Sequence, residues 1–271
     1  MCHACVMESV KERMLSRRQL FRGTAAMGAA AAVGVGAGTP ALADGHGSVR
    51  DMTHAYGPDF PTYFGEPGIA LDKKFDFADS GFNLYELTVN EHTGTHIDAP
   101  LHFSADGLSV DEIAVGNLVV PLCVIDIAAK AAEDADAQVT PEDVQAWIDA
   151  NGDIPDRACV AMHSGWAAKV ATDAYRNADG DGTMHFPGFH PEATEMLLQT
   201  GAAAMAVDTL SLDHGPSADF ATHYAWLPSG RYGIENLAGL ADVPAAGATL
   251  VVGAPTHRGG TGGPARIFAM V

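Results

Sequence analysis

Four side chains able to bind a metal ion or carry a proton lie within eleven residues of this sequence, namely His92, His96, Asp98 and His102. Imidazole nitrogens and carboxylate oxygens hold Zn²⁺, Mn²⁺ or Fe²⁺ in proteins, and three protein ligands with one open position describe a catalytic site. A single loop histidine is more often a hydrogen-bonding or surface residue. Four such groups in one short segment would crowd one another without a cation, because each tends to seek water. The segment therefore predicts a divalent metal site, without choosing between Zn²⁺ and Mn²⁺.

The neighbouring residues indicate how the chain positions this segment. Two histidines four residues apart could share one face of a helix, as in a metalloprotease motif. Gly94 separates them, however, and Pro100 follows closely, and both residues disfavour a helix. An apolar run with β-branched and aromatic members, residues 82–89, comes just before and predicts a strand. We therefore expect the four groups on a loop that leaves the end of this strand.

Further along the chain, predicted strands alternate with predicted helices. Thr140, Pro141 and Asp143 predict the start of a helix, and Gly152 predicts its end. A second helix is predicted at residues 191–200, and strands at residues 49–56, 118–127, 158–162, 203–207, 249–254 and 265–270. This alternation predicts an α/β arrangement with a largely covered sheet. The polar, Gly-rich residues 167–189 are interpreted as a surface excursion whose end returns as a lid over the pocket.

The first 43 residues predict a targeting segment that is removed from the mature protein. Residues 16–21, Ser-Arg-Arg-Gln-Leu-Phe, form a twin-arginine signature, and a weakly apolar run at residues 23–38 leads to a small-residue cleavage pattern ending at Ala43. The run is too short and too rich in glycine for a transmembrane anchor. We expect the twin-arginine export machinery to carry the folded, metal-loaded protein to the periplasm. The mature hydrolase domain would then comprise residues 44–271.

Charge narrows the range of partners. The full chain has 15 basic and 34 acidic side chains, of which five basic and two acidic ones lie in residues 1–43. The mature protein would therefore carry 10 basic and 32 acidic side chains, a formal charge of −22. So negative a surface repels nucleic acid and anionic lipid. We therefore expect a small-molecule partner and no binding of the mature protein to nucleic acid or to a membrane.

The cysteines are predicted to be structural. Cys2 and Cys5 leave with the targeting segment, so their C-x-x-C spacing is a poor candidate for a redox or metal site. Cys123 and Cys159 each lie in an apolar run that predicts a strand. We expect buried free thiols, although an oxidising periplasm would permit a disulfide if the two strands are neighbours.

The segment from His92 to His102, His-Thr-Gly-Thr-His-Ile-Asp-Ala-Pro-Leu-His, resembles the signature of the cyclase-like metal-dependent hydrolases. This family includes bacterial kynurenine formamidase and isatin hydrolase. The resemblance covers most of the mature chain and includes supporting blocks at Pro67 and at residues 164–166, 208–211, 234–237 and 263–266. It implies an α/β protein with the swivelling β/β/α fold, a single domain with a mixed sheet core. Family members are usually dimers or larger, so we expect a homodimer or a higher homo-oligomer.

The resemblance also implies roles for particular residues. The family's metal ligands and catalytic histidine match four residues of the segment: His92, His96 and Asp98 as ligands, and His102 as the catalytic residue. Members with two metal ions add a histidine and a glutamate, which correspond to His223 and Glu235. We therefore expect one or two divalent ions per chain, Mn²⁺ or Zn²⁺, with Asp98 as a bridge if there are two.

These residues predict an amidohydrolase. A metal ion lowers the pKa of its bound water from about 15.7 toward about 7 and polarises a carbonyl oxygen, so amide hydrolysis can begin at neutral pH. His102 would accept the proton of this metal-activated water and deliver it to the leaving nitrogen, as a general acid/base. The predicted substrate is a cyclic amide such as isatin, because export is awkward for kynurenine formamidase, whose usual pathway is cytoplasmic. The alternatives are an aryl formamide such as N-formylkynurenine, a lactone or its reverse cyclisation, and a non-catalytic exported metal-binding protein.

Aromatic side chains favour a flat, hydrophobic substrate. Five are predicted to bind it, namely Tyr63, Phe64, Phe103, Trp166 and Phe186. For the first two, the sequence does not decide between a pocket wall and simple filling between a loop and the sheet. The excursion at residues 167–189 is longer than in compact formamidases, so it bears on the choice of substrate.

Overall fold

The strands provide the frame of the molecule. The structure is a computed structural model that describes residues 47–271, so the predicted targeting segment and its cleavage site lie outside the described residues. The strands are β1 Val49–Asp51, β2 Ile69–Phe75, β3 Leu84–Val89, β4 His96–Asp98, β5 Val119–Asp126, β6 Gln138–Val139, β7 Cys159–His163, β8 Gly188–Phe189, β9 Ala204–Val207, β10 Tyr232–Glu235, β11 Ala248–Gly253, β12 Gly262–Pro264 and β13 Arg266–Met270. Nine of them form one sheet in the order β1-β13-β11-β5-β7-β9-β10-β4-β12.

The centre of this sheet is parallel and its two sides are antiparallel. Strands β5, β7, β9 and β10 pair in parallel, whereas β11 and β4 pair in antiparallel on either side of them. The central strands are almost wholly apolar and buried, as parallel strands with two covered faces require. The predicted α/β class with a mixed sheet core is therefore confirmed.

Five α-helices lie among the described residues, and the last three of them cover one face of the sheet. The five are α1 Phe77–Ser80, α2 Ala128–Glu133, α3 Pro141–Asn151, α4 Pro191–Leu198 and α5 Ala221–Trp226. The predicted start of α3 is confirmed, because Thr140 N–H donates to Asp143 Oδ2 at 2.8 Å and closes a capping box. Trp147, Leu197 and Trp226 of α3, α4 and α5 share a core with the sheet. None of the helices in residues 47–271 is long and apolar enough to cross a bilayer.

The two cysteines lie on neighbouring strands but on opposite faces of the sheet. In the β5–β7 pair, Leu122 is opposite Cys159 and Cys123 is opposite Val160. Because side chains alternate between faces along a strand, the two thiols enter different cores. Both are buried and unpaired, so the free-thiol expectation holds and the disulfide alternative fails on geometry.

Residues 71–87 form a separate compact unit. Strands β2 and β3 make their own two-stranded sheet, connected through α1. The strand predicted at residues 82–89 is confirmed as Leu84–Val89, yet its apolar side chains are largely exposed, with 52% of Leu87 accessible.

The metal-ligand segment is a loop only in part: His92 lies in the bend between β3 and β4, as predicted, whereas His96, Asp98 and His102 do not lie on a loop. His96 and Asp98 are the ends of β4, which has strand neighbours on both sides, and His102 lies on a 3-10 helix, Pro100–Phe103. The strand alternation places His96 and Asp98 on one face and turns Ile97 into the apolar core behind them. His96 and Asp98 therefore lie on a strand that is hydrogen-bonded on both sides.

Candidate active site

The strand register around β4 brings together residues that lie far apart in the sequence. Glu235 of β10 is directly opposite His96, and on the other side Gly262 of β12 is opposite Asp98. Gly233 of β10 also faces Asp98, so the carboxylate is flanked by two residues without side chains. A methyl group at Gly233 would lie 3.3 Å from Asp98 Oδ2, so glycine at this position allows close packing beside the carboxylate.

All five predicted metal ligands meet at this point. They form two groups that share Asp98, namely His92, His96 and Asp98, and Asp98, His223 and Glu235. Within each group the candidate ligand atoms lie within 4.8 Å of one another. Asp98 Oδ1 is 2.7 Å from His92 Nδ1, and Asp98 Oδ2 is 3.7 Å from His223 Nε2. The two oxygens of Asp98 thus face different groups.

The ring of His96 is held by a main-chain carbonyl. His96 Nδ1 is 3.0 Å from Gly94 O, and because a carbonyl oxygen only accepts hydrogen bonds, Nδ1 must carry the proton. Nε2 then points into the cluster, 3.3 Å from Asp98 Oδ1 and 3.3 Å from Glu235 Oε2. The tautomer that binds a metal through Nε2 is therefore selected by the backbone.

His92 is held in the same way by a hydroxyl. The Thr261 hydroxyl donates to Glu91 Oε2, so its oxygen is available to accept from His92 Nε2–H at 3.1 Å. This leaves His92 Nδ1 as the nitrogen that faces Asp98. Glu91 and Thr261 were not predicted from the sequence. Thr261 lies in a glycine-rich segment, residues 257–264, whose spacing does not single it out.

His223 of α5 is oriented by a carboxylate. His223 Nδ1 lies 2.6 Å from Asp213 Oδ2, and its Nε2 lies 3.1 Å from Glu235 Oε1. Burial lowers the pKa of His223, but Asp213, Asp98 and Glu235 outweigh burial and raise this pKa well above its usual value. Asp213 was not predicted, since nothing in its spacing distinguishes it from other acidic residues.

The cluster fits a divalent cation. His96 Nε2 and Asp98 Oδ2 are buried without a hydrogen-bond partner among the described residues. Burial lowers the pKa of His96, but the neighbouring carboxylates of Asp98 and Glu235 outweigh burial and raise this pKa to about 10. The two buried carboxylates thus favour a positive charge at the centre, and a cation supplies it with ligands of the kind that Zn²⁺ and Mn²⁺ accept.

His102 lies beside the ligands and has a different character. Its ring stacks on the His92 ring with 3.8 Å between centroids, and it lines a cavity of about 600 Å³. Burial lowers the pKa of His102 to about 4, so the ring is neutral at neutral pH. A neutral imidazole on the cavity wall can accept a proton.

Aromatic rings line the same cavity as the ligands. Tyr63, Phe64 and Phe103 all line this cavity, as does Phe220, which was not predicted. Phe220 has a backbone φ of 51°, an uncommon left-handed conformation for a bulky residue, and its ring lies 5.6 Å from Phe103 and 5.8 Å from Tyr63. The four rings make an apolar slot suited to a flat molecule.

Two of the predicted substrate-binding residues lie elsewhere. Trp166 is 1% exposed and Phe186 is fully buried, and they share a separate core with Tyr175, Met184 and Leu210. Neither residue lines the ligand cavity, so the prediction that they bind the substrate is wrong. Both are core residues. The end of the excursion, residues 184–189, also contributes no residue to the cavity lining, so it is not the predicted lid. A buried aromatic and a pocket aromatic have the same appearance in a sequence.

A protein family matches this chain. The family described as "Putative cyclase" matches residues 50–214, which is more than half of the sequence. The chain therefore belongs to the cyclase family, and the resemblance to cyclase-like metal-dependent hydrolases is confirmed. Together with the ligand cluster, this defines a metal-dependent hydrolase.

Several relatives are isatin hydrolases. Isatin hydrolase of Roseibium aggregatum is 31% identical over 249 residues, which cover 85% of this chain and 94% of that protein. The structure of isatin hydrolase A from Labrenzia aggregata bound to benzyl benzoate is 34% identical with a TM-score of 0.79, covering 85% and 96% of the two chains. Isatin hydrolase A from Ralstonia solanacearum is 32% identical with a TM-score of 0.77, covering 83% and 92%.

Proposed function

We propose that this protein hydrolyses a cyclic amide of the isatin type, with His102 as general acid/base. The observation that carries the proposal is the position of His102, a neutral imidazole that lines an aromatic cavity beside the ligand cluster. The isatin hydrolases that resemble the chain support the substrate class. A storage or transport site for metal has no need of such a base, which argues against a non-catalytic role.

The reaction follows from the side chains around the cavity. A divalent ion bound by His92, His96, Asp98, His223 and Glu235 would polarise the substrate carbonyl and lower the pKa of water. His102 accepts a proton from the attacking water, whose oxygen bonds to the carbonyl carbon. The carbon–nitrogen bond then breaks, and His102 returns the proton to the leaving nitrogen. The ring opens to an amine and a carboxylic acid, so one water is consumed for each amide cleaved.

The cavity wall would position the substrate for this step. Tyr63, Phe103 and Phe220 would hold a flat substrate ring in one orientation. The bound substrate then loses less entropy on the way to the transition state. Ser211 also lines the cavity, and its Oγ is buried without a hydrogen-bond partner among the described residues. We infer that it hydrogen-bonds a polar atom of the substrate. Ser211→Ala should therefore raise KM for isatin about tenfold, since a lost hydrogen bond is worth roughly 1.5 kcal/mol.

Two variants test the division of roles. His102→Ala should lower kcat for isatin by at least about 100-fold and keep the metal content of the wild type, because His102 transfers protons. His96→Ala should lose both turnover and metal, because it removes a ligand. Elemental analysis and a ring-opening absorbance assay measure the two quantities. Equal loss of metal in both variants would contradict the assignment of His102.

The substrate class needs its own comparison. Metal-replete wild type should turn over isatin faster than N-formylkynurenine or simple lactones under matched conditions. Preference for N-formylkynurenine would replace the cyclic amide with an aryl formamide, and preference for lactones would indicate an esterase or a cyclase. If all three classes are left intact by protein with full metal content, the hydrolase proposal fails.

We further propose Mn²⁺ or Zn²⁺ as the ion, with one or two ions per chain. The sharing of Asp98 between two ligand groups supports the two-ion arrangement. Elemental analysis of wild type and Glu235→Gln distinguishes the cases. With two ions, the variant should lose one ion and retain the one held by His92 and His96. An unchanged stoichiometry of one would remove the second site.

Export and assembly remain separate proposals. We propose that the twin-arginine signature at residues 16–21 directs the folded protein to the periplasm, and that cleavage occurs near Ala43. N-terminal sequencing of protein from a periplasmic fraction tests both statements. We also propose a homodimer or larger oligomer, because the separate unit at residues 71–87 exposes several large apolar side chains. Light scattering of the purified protein would give the mass, and a monomer would refute this proposal.

A further inference from the structure

We propose that Tyr175 is a positioning residue for the metal ligand His96 and acts through Asn236 and the Gly94 carbonyl. The inference rests on the metal site proposed above and extends it to a residue that touches no ligand. Tyr175 lies in the excursion at residues 167–189, so this segment would support the metal centre rather than cover it.

The Gly94 carbonyl is the point where the support reaches the ligand. It accepts from His96 Nδ1 at 3.0 Å and from Asn236 Nδ2 at 2.9 Å. A shift of this oxygen would therefore turn the His96 ring and move Nε2 relative to Asp98. Gly94 has a backbone φ of 65°, which glycine adopts without strain. The orientation of its carbonyl group therefore depends on the two hydrogen bonds that the oxygen accepts.

Asn236 is held on several sides. It is 2% exposed, and its backbone φ of 55° is a left-handed conformation that asparagine tolerates better than most residues. Its N–H donates to Thr209 O at 2.9 Å, and its carbonyl accepts from Thr95 Oγ1 at 2.6 Å. The side-chain orientation follows from chemistry, since only the NH₂ group can donate to Gly94 O. Oδ1 must then face the opposite way.

Tyr175 meets Asn236 Oδ1 at that position. The Tyr175 hydroxyl lies 2.8 Å from Oδ1 and 3.1 Å from Asp208 O, and the residue is fully buried. Its ring packs in the core with Trp166, whose indole N–H donates to Tyr175 O at 2.8 Å. The hydroxyl is thus placed by packing and supplies a donor to an amide oxygen that water does not reach.

The first test is Tyr175→Phe, which removes only the hydroxyl. We expect about tenfold weaker binding of Co²⁺ to the metal-free protein, because outer groups that orient a ligand histidine change metal affinity by about 10–100-fold. The Co²⁺ absorption spectrum should also change. A role confined to core stability would alter thermal unfolding without altering the spectrum or the affinity.

Tyr232→Phe is the matched control. Tyr232 is 2% exposed, and its hydroxyl donates to Asn117 O at 2.7 Å, away from any hydrogen bond to a metal ligand. The control should lose a similar amount of stability and keep the wild-type Co²⁺ affinity and spectrum. Equal weakening in the two variants would overturn the proposal.

A double-mutant cycle gives a second test, which separates the hydrogen bond to Asn236 from a general loss of stability in Tyr175→Phe. Asn236→Gly keeps a backbone able to adopt the left-handed conformation but removes the amide, so it should weaken Co²⁺ binding at least as much. Adding Tyr175→Phe to this variant should then cause no further loss. Additive losses would refute the connection between the two residues. Failure of the wild type to bind Co²⁺ would instead refute the metal site itself.

Discussion

Gly262→Ala tests whether the close packing of β12 on β4 determines the metal site. A methyl group at this position would lie 2.3 Å from Ile97 O and 3.0 Å from His92 Cε1. Carbon–oxygen contacts in sheets are about 3.3–3.6 Å, so the two strands must separate by about 1 Å. Forced overpacking of this kind lowers the free energy of unfolding by about 1–3 kcal/mol. For a domain of this size, a loss of about 2 kcal/mol lowers Tm by about 4–8 °C. A misplacement of about 1 Å at a reacting group also costs about 100-fold in rate.

The assay compares Tm, metal content and kcat/KM for Gly262→Ala with those for Gly180→Ala. Gly180 has no heavy atom within 4 Å of the added methyl group, and, as for Gly262, its φ is outside the left-handed region. The control should match the wild type, whereas Gly262→Ala should lose stability and activity together. If Gly262→Ala stays within twofold of the control in kcat/KM and within 1 °C in Tm, the argument from the strand contact is wrong.

Three further predictions concern ionisation. Burial lowers the pKa of His102 from 6.5 to about 4, so the unfolded state binds more protons than the folded state between these pH values. The free energy of unfolding should therefore fall as the pH drops from 6.5 to 4. His102→Gln should reduce this pH dependence, measured by urea titrations at several pH values. Burial raises the pKa of Tyr175 well above 10, so the stability that the protonated hydroxyl contributes to the fold is complete below pH 10 and is lost as the pH rises further. Tyr175→Phe should therefore reduce the loss of stability at alkaline pH, measured by the same urea titrations. Burial also raises the pKa of Cys123 to about 12, so Cys123 and Cys159 should react with a thiol reagent in urea but not in the native protein, and rapid native reaction would contradict their burial.

The ligand motif could be read from the sequence because its members are close in the chain. His92, His96 and Asp98 need only one short strand and the preceding turn to meet, so their spacing carries most of the information about the site. The helix that begins after Thr140 was equally predictable, since a capping box acts within four residues. Both features depend on local geometry.

The corrected predictions concern residues whose local pattern has two meanings. Trp166 and Phe186 are aromatic residues that the sequence does not distinguish from those lining the cavity, yet packing places them in a separate core. His96 and Asp98 were expected on a loop because glycine and proline flank them, whereas pairing with β10 and β12 extends them into a strand. Tertiary pairing overrides such local signals.

By itself, then, the sequence determined the ligand types, the alternation of strands and helices, and the chemical class of the site. Tertiary structure decided which distant residues complete it. Glu235, which only the family resemblance indicated, reaches His96 through strand register. Asp213 reaches His223 across a loop, and Thr261 reaches His92 from the turn before the neighbouring strand β12. No spacing rule connects residues that are 10 to 169 positions apart, because their separation in space is set by how the whole chain closes on itself.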